Sequence, residues 1–165
     1  MTDDRPFATE IMLTGPFRTP RQMLAAQEYD GHASIHDAAV AAELGFQGGA
    51  IEGPTHFSQF VPLCYELWGR DWFEHGCLSV HFRNICFEGE EVRALVGRAG
   101  NGERQVPVCM EKRDGTEVLR GTASLGPEHP DSALEARLAG IKPPGRLVIL
   151  RDLDIGLQSG PETVV

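Results

Sequence analysis

Two short clusters of polar residues in the first third of the chain carry side chains suited to proton transfer. The first runs from Asp30 to Asp37 and includes His32 and His36, and the second is the segment Glu52–His56. Imidazole and carboxylate groups are the usual general acids and bases of enzymes. An amide at the start of a helix, such as that of Gly53, can stabilise an oxyanion. The pattern therefore favours acid–base chemistry on a substrate that develops negative charge on oxygen.

Two predicted helices position these clusters. Ser34 is expected to cap a short helix that ends at Gly45, because serine accepts bonds from helix amides and glycine adopts the left-handed conformation. Gly53 and Pro54 are expected to open a second helix, since proline suits the first helical turn. His36 would lie at the second position of the first helix. There the positive end of the helix dipole disfavours the imidazolium cation and favours a general base.

The first cluster also has a simpler structural interpretation. Asp30 is followed by glycine, so it fits an ordinary turn. His36 fits a polar residue at the start of a helix, and His32 is the alternative histidine that could face a site. As one half of a catalytic pair, Asp30 would orient the imidazole or share its water.

The second cluster is equally open to two interpretations. Gly53 fits both an oxyanion-binding amide and a plain helix-start glycine. Glu52 is interpreted as a solvated acid in preference to an extra catalytic acid or a substrate selector. His56, one turn into the helix, is a weaker candidate for chemistry, and Asp37 is more typical of a helix cap.

The longest helical pattern follows the second cluster. Apolar residues recur at helical spacing over residues 54–68, which predicts a central helix buried on most sides. Pro62 is expected to kink this helix, because its ring clashes with the preceding turn. Gly69 is expected to end the helix, and residues 70–76 are expected to form a loop.

Beyond this helix the apolar pattern changes to alternation, which predicts strands. Asn101-Gly102 and Asp114-Gly115 supply the positive φ of tight hairpins. Strands joined in this way predict a four-stranded antiparallel meander with one face available to an apolar helix. A further strand, Phe7–Leu13, is predicted before the helices. The four strand segments begin at Cys77, Val92, Val106 and Val118.

The C-terminal part of the chain is interpreted as an extension of the domain. It contains a short predicted helix capped by Asp131 and an apolar stretch, Leu147–Ile155. We therefore expect a main domain over residues 1–126. The extension, residues 127–165, is expected to pack on that domain or on a dimer partner.

The composition excludes several classes of function. The chain has 165 residues and a net charge of −9, which fits one domain and disfavours nucleic acid and anionic membranes as partners. No apolar run is long enough to span a bilayer, and the N-terminal residues lack a signal-peptide pattern, so a cytoplasmic protein is expected. The cysteines lack metal-ligand spacing, which favours buried free thiols and predicts no metal site. They are Cys64, Cys77, Cys86 and Cys109.

One series of residues stands in a fixed order ahead of the predicted central helix: Asp30, His36, Gly45, Phe46, Ile51 and Gly53. This series resembles the motif region of a known family, the MaoC-like hot-dog enoyl-CoA hydratases of the (R)-specific type. That family has an Asp-x-Asn-Pro-x-His segment, a short helix ending in Gly-Phe, a Pro-Ile-x-His-Gly turn and then the central helix.

This chain departs from the family motif at the catalytic positions. Asp30 and His36 are one residue further apart, His32-Ala33 replaces the Asn-Pro pair, and Glu52 replaces the histidine before the glycine. The resemblance implies an α+β hot-dog fold, in which an antiparallel sheet wraps around a central helix. It also implies a homodimer or a higher homo-oligomer. The order of predicted helices and strands indicates the same arrangement.

The resemblance further implies a hydratase or dehydratase of 2-enoyl or 3-hydroxyacyl thioesters, linked to coenzyme A or acyl carrier protein, without metal or cofactor. Asp30 and His36 would be catalytic, and the Gly53 amide would bind the thioester oxygen. Two alternatives stay open: an acyl thioesterase in which Glu52 or Asp30 activates water, and a non-catalytic acyl-binding or assembly subunit. Further substrate contacts are expected from Glu52, His32 and His56. Basic residues available to a phosphate-bearing carrier are Arg18, Arg21, Arg70, Lys112 and Arg113.

Overall fold

The computed structural model describes residues 12–23, 34–100, 102–143, 145, 146, 156, 158 and 160. The strands are β1 Met12–Thr14, β2 Gly76–Phe82, β3 Val92–Gly97, β4 Gln105–Lys112 and β5 Glu117–Leu125. The helices are α1 Ala38–Glu43, α2 Gly53–Phe57, α3 Val61–Trp68, α4 Asp71–His75 and α5 Ala133–Ala139. The strands form one antiparallel sheet in the order β1-β3-β4-β5-β2.

The core lies between one face of this sheet, here called the inner face, and the helices inserted after β1. On the inner face Val108 is paired with Val96 and Met110 with Leu119, and each of the four is at most 2% exposed. Phe60, from the helical segment, belongs to the same buried cluster. Burying each large apolar side chain contributes about 1.5–3 kcal/mol. An apolar helical segment inserted after the first strand and covered by a sheet of this order is the hot-dog fold, so the predicted α+β hot-dog class is confirmed.

The central helix is shorter than predicted. Helix α2 ends at Phe57, a turn follows, and α3 begins at Val61, so Pro62 occupies the second position of a new helix. Proline has no amide to donate to Ser58, and at the start of a helix no such bond is required. The prediction of one kinked helix over residues 54–68 is therefore wrong, because the helix breaks completely before the proline.

Residues 71–75 were predicted to lie in a loop but form helix α4. Gly69 ends α3 as predicted, with a φ of 59°. The short helix then stacks Trp72 on Trp68, with ring centroids 5.7 Å apart. Aromatic stacking of this kind removes ring area from water, which gives a single helical turn enough stabilisation to form.

The predicted meander is correct only for β3, β4 and β5, because β2 pairs with β5 and not with β3. Residues 83–91 carry the chain from β2 to β3. They bond instead to the segment before α2, through the Ile51 amide to the Cys86 carbonyl at 2.8 Å and the Glu88 amide to the Gly49 carbonyl at 3.0 Å. These backbone groups are therefore not available for a tight hairpin, and β2 forms an edge of the sheet.

Helix α5 lies on the outer face of the sheet. The Leu134 amide donates to Ser79 Oγ and the Ala133 amide to Thr122 Oγ1, both at 3.0 Å. Amides at a helix start have no partner within the helix, so the strand side chains supply acceptors for two of them.

The cap of α5 differs from the prediction. Ser132, and not Asp131, is the N-cap, because its side chain and that of Glu135 each accept a bond from the other's backbone amide. This reciprocal arrangement satisfies two amides at once, which a lone aspartate one residue earlier does not achieve.

Some predicted features lie outside the described residues. These are most of the strand Phe7–Leu13, the hairpin residue Asn101 and the apolar stretch Leu147–Ile155. The division into a main domain and an extension stays a prediction. Within the described ranges, the helices are all too short or too polar to cross a membrane.

Candidate functional site

A cleft of about 410 Å³ opens where the segment after α1, the start of α2 and the end of β2 meet. Its walls are mainly apolar and include Ile51 and Phe82. Three of the residues predicted to form a site line it, namely His36, Gly53 and His56. The structure thus brings residues of both polar clusters to one cavity.

The ring of His36 is oriented by a backbone carbonyl. Its Nδ1 lies 2.7 Å from the Ala50 oxygen. A carbonyl oxygen can only accept, so Nδ1 carries the proton and Nε2 keeps a free lone pair in the neutral ring. An imidazole held in this tautomer can accept a proton at Nε2, which is the geometry required of a general base.

The backbone around His36 is in close contact with the turn that contains Gly48 and Gly49, here called the glycine turn. A Cβ atom added to Gly49 would lie 2.5 Å from the His36 carbonyl oxygen, so only glycine permits this approach. The Ala50 amide donates to the Ile35 carbonyl at 3.0 Å. The Gln22 side-chain amide donates to the His36 carbonyl. Neither Gly49 nor Ala50 was predicted to belong to the site, although the pair Gly48-Gly49 is a sequence signal of close backbone approach.

The start of α1 differs from the prediction. Asp37 is the N-cap, and its Oδ1 accepts from the Ala39 amide at 2.8 Å and the Val40 amide at 3.0 Å. Ser34 Oγ accepts instead from the His36 amide at 3.3 Å. Ser34 is therefore not the helix cap, and His36 precedes the helix. The expectation that the helix dipole acts on His36 from the second helical position is wrong.

The end of α1 is as predicted. Gly45 has a φ of 84°, and its amide donates to the Ala42 carbonyl at 3.0 Å. The Phe46 amide donates to the Ala41 carbonyl at 2.9 Å. These two bonds form the C-terminal motif in which a left-handed glycine reverses the chain, so the sequence returns directly to the glycine turn beside His36.

Gly53 is the first residue of α2, and its amide has no acceptor among the described residues. The Phe82 ring packs over it, and a Cβ at position 53 would lie 3.2 Å from the ring Cζ. An unsatisfied amide at a helix start is suited to an anionic or partly anionic oxygen. Gly53 therefore lines the cleft at a helix start, and its role in binding an oxyanion stays a prediction.

Glu52 is buried, which contradicts the expectation of a solvated acid. The residue is only 6% exposed. One carboxylate oxygen accepts from the Met23 amide at 2.7 Å and the other from Thr55 Oγ1 at 3.1 Å. A buried carboxylate requires such donors, and here they tie α2 to the segment after β1.

His56 is the most buried polar residue of the cleft, at 1% exposure. Burial lowers its pKa, because desolvation penalises the cation, and the nearby Glu52 carboxylate opposes this shift. Its Nδ1 has no hydrogen-bond partner among the described residues. His56 is therefore a neutral ring with unused hydrogen-bonding capacity beside the cleft.

The remaining candidates are polar and basic residues from several segments of the chain. Asp30 and His32 lie outside the described residues. Arg83 lines the cleft and pairs with Glu117, with Nε and Oε1 3.3 Å apart. Three basic residues proposed for a phosphate-bearing carrier form ion pairs of their own: Lys112, Arg113 and Arg70 pair with Glu90, Glu91 and Glu74 at 2.7, 2.6 and 3.6 Å.

The cysteines do not form a site. Cys64 and Cys86 are buried free thiols as predicted, and burial raises their pKa to about 12 and about 11 respectively. Cys77 and Cys109 are only half-buried, because both lie on the outer face of the sheet and not on the inner one. Within the part of the chain that the structure describes, no group of three or more His, Cys, Asp or Glu side chains could hold a metal ion.

No protein-family model matches the chain. No curated protein matches it either. Solved structures similar to it include the (R)-hydratase from A. caviae involved in PHA biosynthesis, with 19% identity, a TM-score of 0.47 and coverage of 76% of this chain and 100% of that one. The R-hydratase PhaJ1 from Pseudomonas aeruginosa, in its unliganded form, has 14% identity and a TM-score of 0.49 over 75% of this chain and 85% of that one.

The fluoroacetyl-CoA thioesterase FlK is also similar, with 12% identity and a TM-score of 0.38 over 84% of this chain and 100% of that one. At these identities and TM-scores the likeness carries no conclusion about activity, and the fold rests on the strand order.

Proposed function

We propose that the chain adds water across the double bond of a 2-enoyl thioester, and catalyses the reverse dehydration of the 3-hydroxyacyl thioester. The observation that carries this proposal is the bond from His36 Nδ1 to the Ala50 carbonyl, in the cleft that Gly53 also lines. It supplies a base with a defined tautomer in the same cleft as a helix-start amide that has no acceptor among the described residues, and this reaction requires both.

In the proposed reaction, His36 Nε2 takes a proton from water as the water oxygen bonds to the β-carbon. Electron density moves to the thioester oxygen, and the Gly53 amide stabilises that charge. The proton then passes to the α-carbon, so the product contains one complete water molecule. Asp30 is proposed to hold the same water, as the family resemblance implies.

The shape of the cleft supports an acyl substrate. Its walls include Ile35, Ile51, Phe82 and Ile85. Each methylene of an acyl chain buried against such walls contributes about 0.8 kcal/mol to binding. The thioester is proposed to be linked to coenzyme A or to acyl carrier protein, and Arg83 is a basic residue that lines the cleft.

We also propose that two copies of the chain associate next to the cleft. Phe57, Phe82 and Ile85 are 37%, 50% and 39% exposed, and Phe57 stacks on Phe82 with centroids 6.3 Å apart. A cluster of exposed aromatic and aliphatic side chains is typical of a protein interface. A monomer in analytical ultracentrifugation would contradict this part of the proposal.

The test is hydration of crotonyl-coenzyme A, followed by loss of the enoyl absorbance. His36→Ala is expected to lower kcat by about 100-fold to 10,000-fold, because general-base catalysis typically contributes that much. His75→Ala is the matched control, since His75 is an exposed histidine of α4 that does not line the cleft. Full activity of the His36 variant would remove His36 from the mechanism.

The same assay separates the alternative functions. A thiol reagent reports release of coenzyme A, so thiol release without hydration would indicate a thioesterase. Tight binding without turnover across a panel of acyl thioesters would indicate a non-catalytic subunit. Glu52, the base considered for a thioesterase, already accepts bonds at both carboxylate oxygens, and this supports hydration over hydrolysis.

A further inference from the structure

A second cavity lies on the outer face of the sheet, beside helix α5. This outer groove has a volume of about 360 Å³, and its lining includes His81, Leu134, Arg137, Leu138 and Ile141. Bonds from the start of α5 to strand side chains hold the helix over β2 and β5. The outer groove is therefore a feature of the folded domain that the reaction in the cleft does not use.

One wall of the outer groove is an apolar stripe. Leu134 and Leu138 lie one turn apart on α5, Ile141 follows the end of the helix, and the three are 59%, 54% and 67% exposed. Single exposed apolar residues are common on protein surfaces, but three that line the same cavity form a larger apolar surface. Such a surface favours an apolar ligand.

The other end of the outer groove is cationic. His81 lies directly opposite Arg120 in the pairing of β2 with β5. Three guanidinium groups, those of Arg137, Arg83 and Arg120, act on the His81 ring, together with the Glu117 carboxylate. Glu117 bonds to both Arg83 and Arg120, so Arg137 is the guanidinium in the groove lining whose charge Glu117 does not pair with. A local positive surplus is notable in a chain whose net charge is −9.

The His81 ring itself is incompletely satisfied. Its Nδ1 is buried and has no hydrogen-bond partner among the described residues. Buried polar atoms in folded proteins usually have a partner, and an exception calls for an explanation. Here the unsatisfied ring lines the outer groove together with Arg137, and strand pairing places His81 opposite Arg120.

We propose that the outer groove binds a medium-chain carboxylic acid, with the carboxylate at His81 and Arg137 and the alkyl chain along Leu134, Leu138 and Ile141. Guanidinium groups pair well with carboxylates in a bidentate geometry. The apolar stripe requires a ligand with a hydrocarbon tail, which excludes a bare anion as the preferred occupant. This site is independent of the function proposed for the cleft.

The test is calorimetric titration of the whole chain with sodium octanoate at pH 7. Octanoate is expected to bind at one site per chain. Hexanoate is expected to bind at least tenfold more weakly, because each buried methylene contributes about fourfold in affinity. Acetate, which lacks the tail, and octan-1-ol, which lacks the charge, are both expected to bind at least tenfold more weakly than octanoate.

Two variants locate the ligand. Arg137→Gln is expected to weaken octanoate at least tenfold through loss of a charge-assisted bond, while Arg98→Gln, an exposed arginine outside the groove, leaves the affinity unchanged. Leu138→Ser is expected to weaken octanoate about fivefold, and its exposure means that the fold tolerates the change.

The proposal is overturned if Arg137→Gln leaves octanoate affinity unchanged, because the ligand then binds elsewhere. It is also overturned if octan-1-ol or acetate binds as tightly as octanoate. A change in association state with Leu138→Ser, at unaltered octanoate affinity, would show that the stripe contacts a second copy of the chain.

Discussion

The two faces of the sheet hold their histidines in different ways. On the inner side, His36 is fixed by a bond to the Ala50 carbonyl and by backbone contact with Gly49, both within one short stretch of chain. On the outer side, His81 has an unpartnered Nδ1 and a surrounding group of guanidinium charges. The His36 ring is therefore positioned by a hydrogen bond and backbone contact, whereas the His81 ring is influenced mainly by nearby charges.

His56 and His81 also differ in the charges that act on their pKa. Both have a lowered pKa and an Nδ1 without a partner among the described residues. Desolvation is the largest cause for each, but the opposing charge near His56 is the carboxylate of Glu52, whereas His81 is surrounded by arginines that lower its pKa further. A buried ring beside an acid suits proton chemistry, while a ring among cations suits binding of an anion.

This difference predicts different tolerances. A site held by close backbone contact loses function when any atom intrudes, because rotation of a side chain cannot relieve the clash. A site held by charge loses affinity in proportion to the charges removed, since Coulomb interactions act over longer distances. Substitutions on the two faces therefore test whether the comparison is correct.

The largest effect is expected from Gly49→Ala. The new Cβ would lie 2.5 Å from the His36 carbonyl oxygen, so the His36 backbone has to move. A displacement of about 1 Å at a catalytic group costs about 100-fold in rate, which is the expected loss of kcat/KM for crotonyl-coenzyme A.

Gly48→Ala is the matched control, because its Cβ would meet only the Phe87 Cβ at 3.8 Å, an ordinary contact. Octanoate affinity in the outer groove is expected to be unchanged in both variants. Equal activity of the two variants would show that backbone contact does not position His36.

A smaller effect is expected in the pH dependence of stability. Folding lowers the pKa of His56 below its ordinary value of 6.5 in the unfolded chain. At pH values between the folded and the unfolded pKa, the unfolded chain binds more protons than the folded chain. The free energy of unfolding therefore falls as pH drops below about 6.5, by at most about 1.4 kcal/mol per pH unit. Urea denaturation between pH 7 and pH 5 measures this slope.

His56→Leu is expected to flatten the slope, because it removes the titrating group. His81→Asn is expected to flatten it as well, since the His81 pKa is also lowered by desolvation and by three arginines, with Glu117 opposing. An unchanged slope in His56→Leu would contradict the assignment of a neutral buried ring to the cleft.

The smallest effect is expected at the start of α1. Asp37→Ala removes a side chain that accepts from two helix amides, and loss of such a cap costs about 1 kcal/mol. Ser34→Ala is expected to cost clearly less, because Ser34 bonds to the His36 amide at 3.3 Å and does not cap the helix. Denaturation midpoints at pH 7 compare the two variants, and the reverse order would restore Ser34 as the cap.

Local patterns in the sequence predicted much of the fold. Alternation predicted the strands, and Gly45 and Gly69 marked helix ends that the structure contains. Hairpin glycines at 102 and 115 have the positive φ that the sequence implies. These features depend on neighbouring residues, so a short window of sequence contains the information that determines them.

The failures share a different cause. The pairing of β2 with β5, the burial of Glu52 and the break before Pro62 each depend on atoms distant in the chain or on competition between two local solutions. Periodicity does not report which edge a strand joins, and composition does not report which amides will reach a carboxylate.

The sequence by itself therefore determined the hot-dog class, the ends of the short helix and the order of the candidate residues along the chain. Only the tertiary structure decided that Nδ1 of His36 bonds to the Ala50 carbonyl and that His81 lies among three arginines. The physical reason is that helix ends and strand faces follow from bonds within a few residues. The orientation and charge environment of a side chain follow from groups that meet only when the chain has folded.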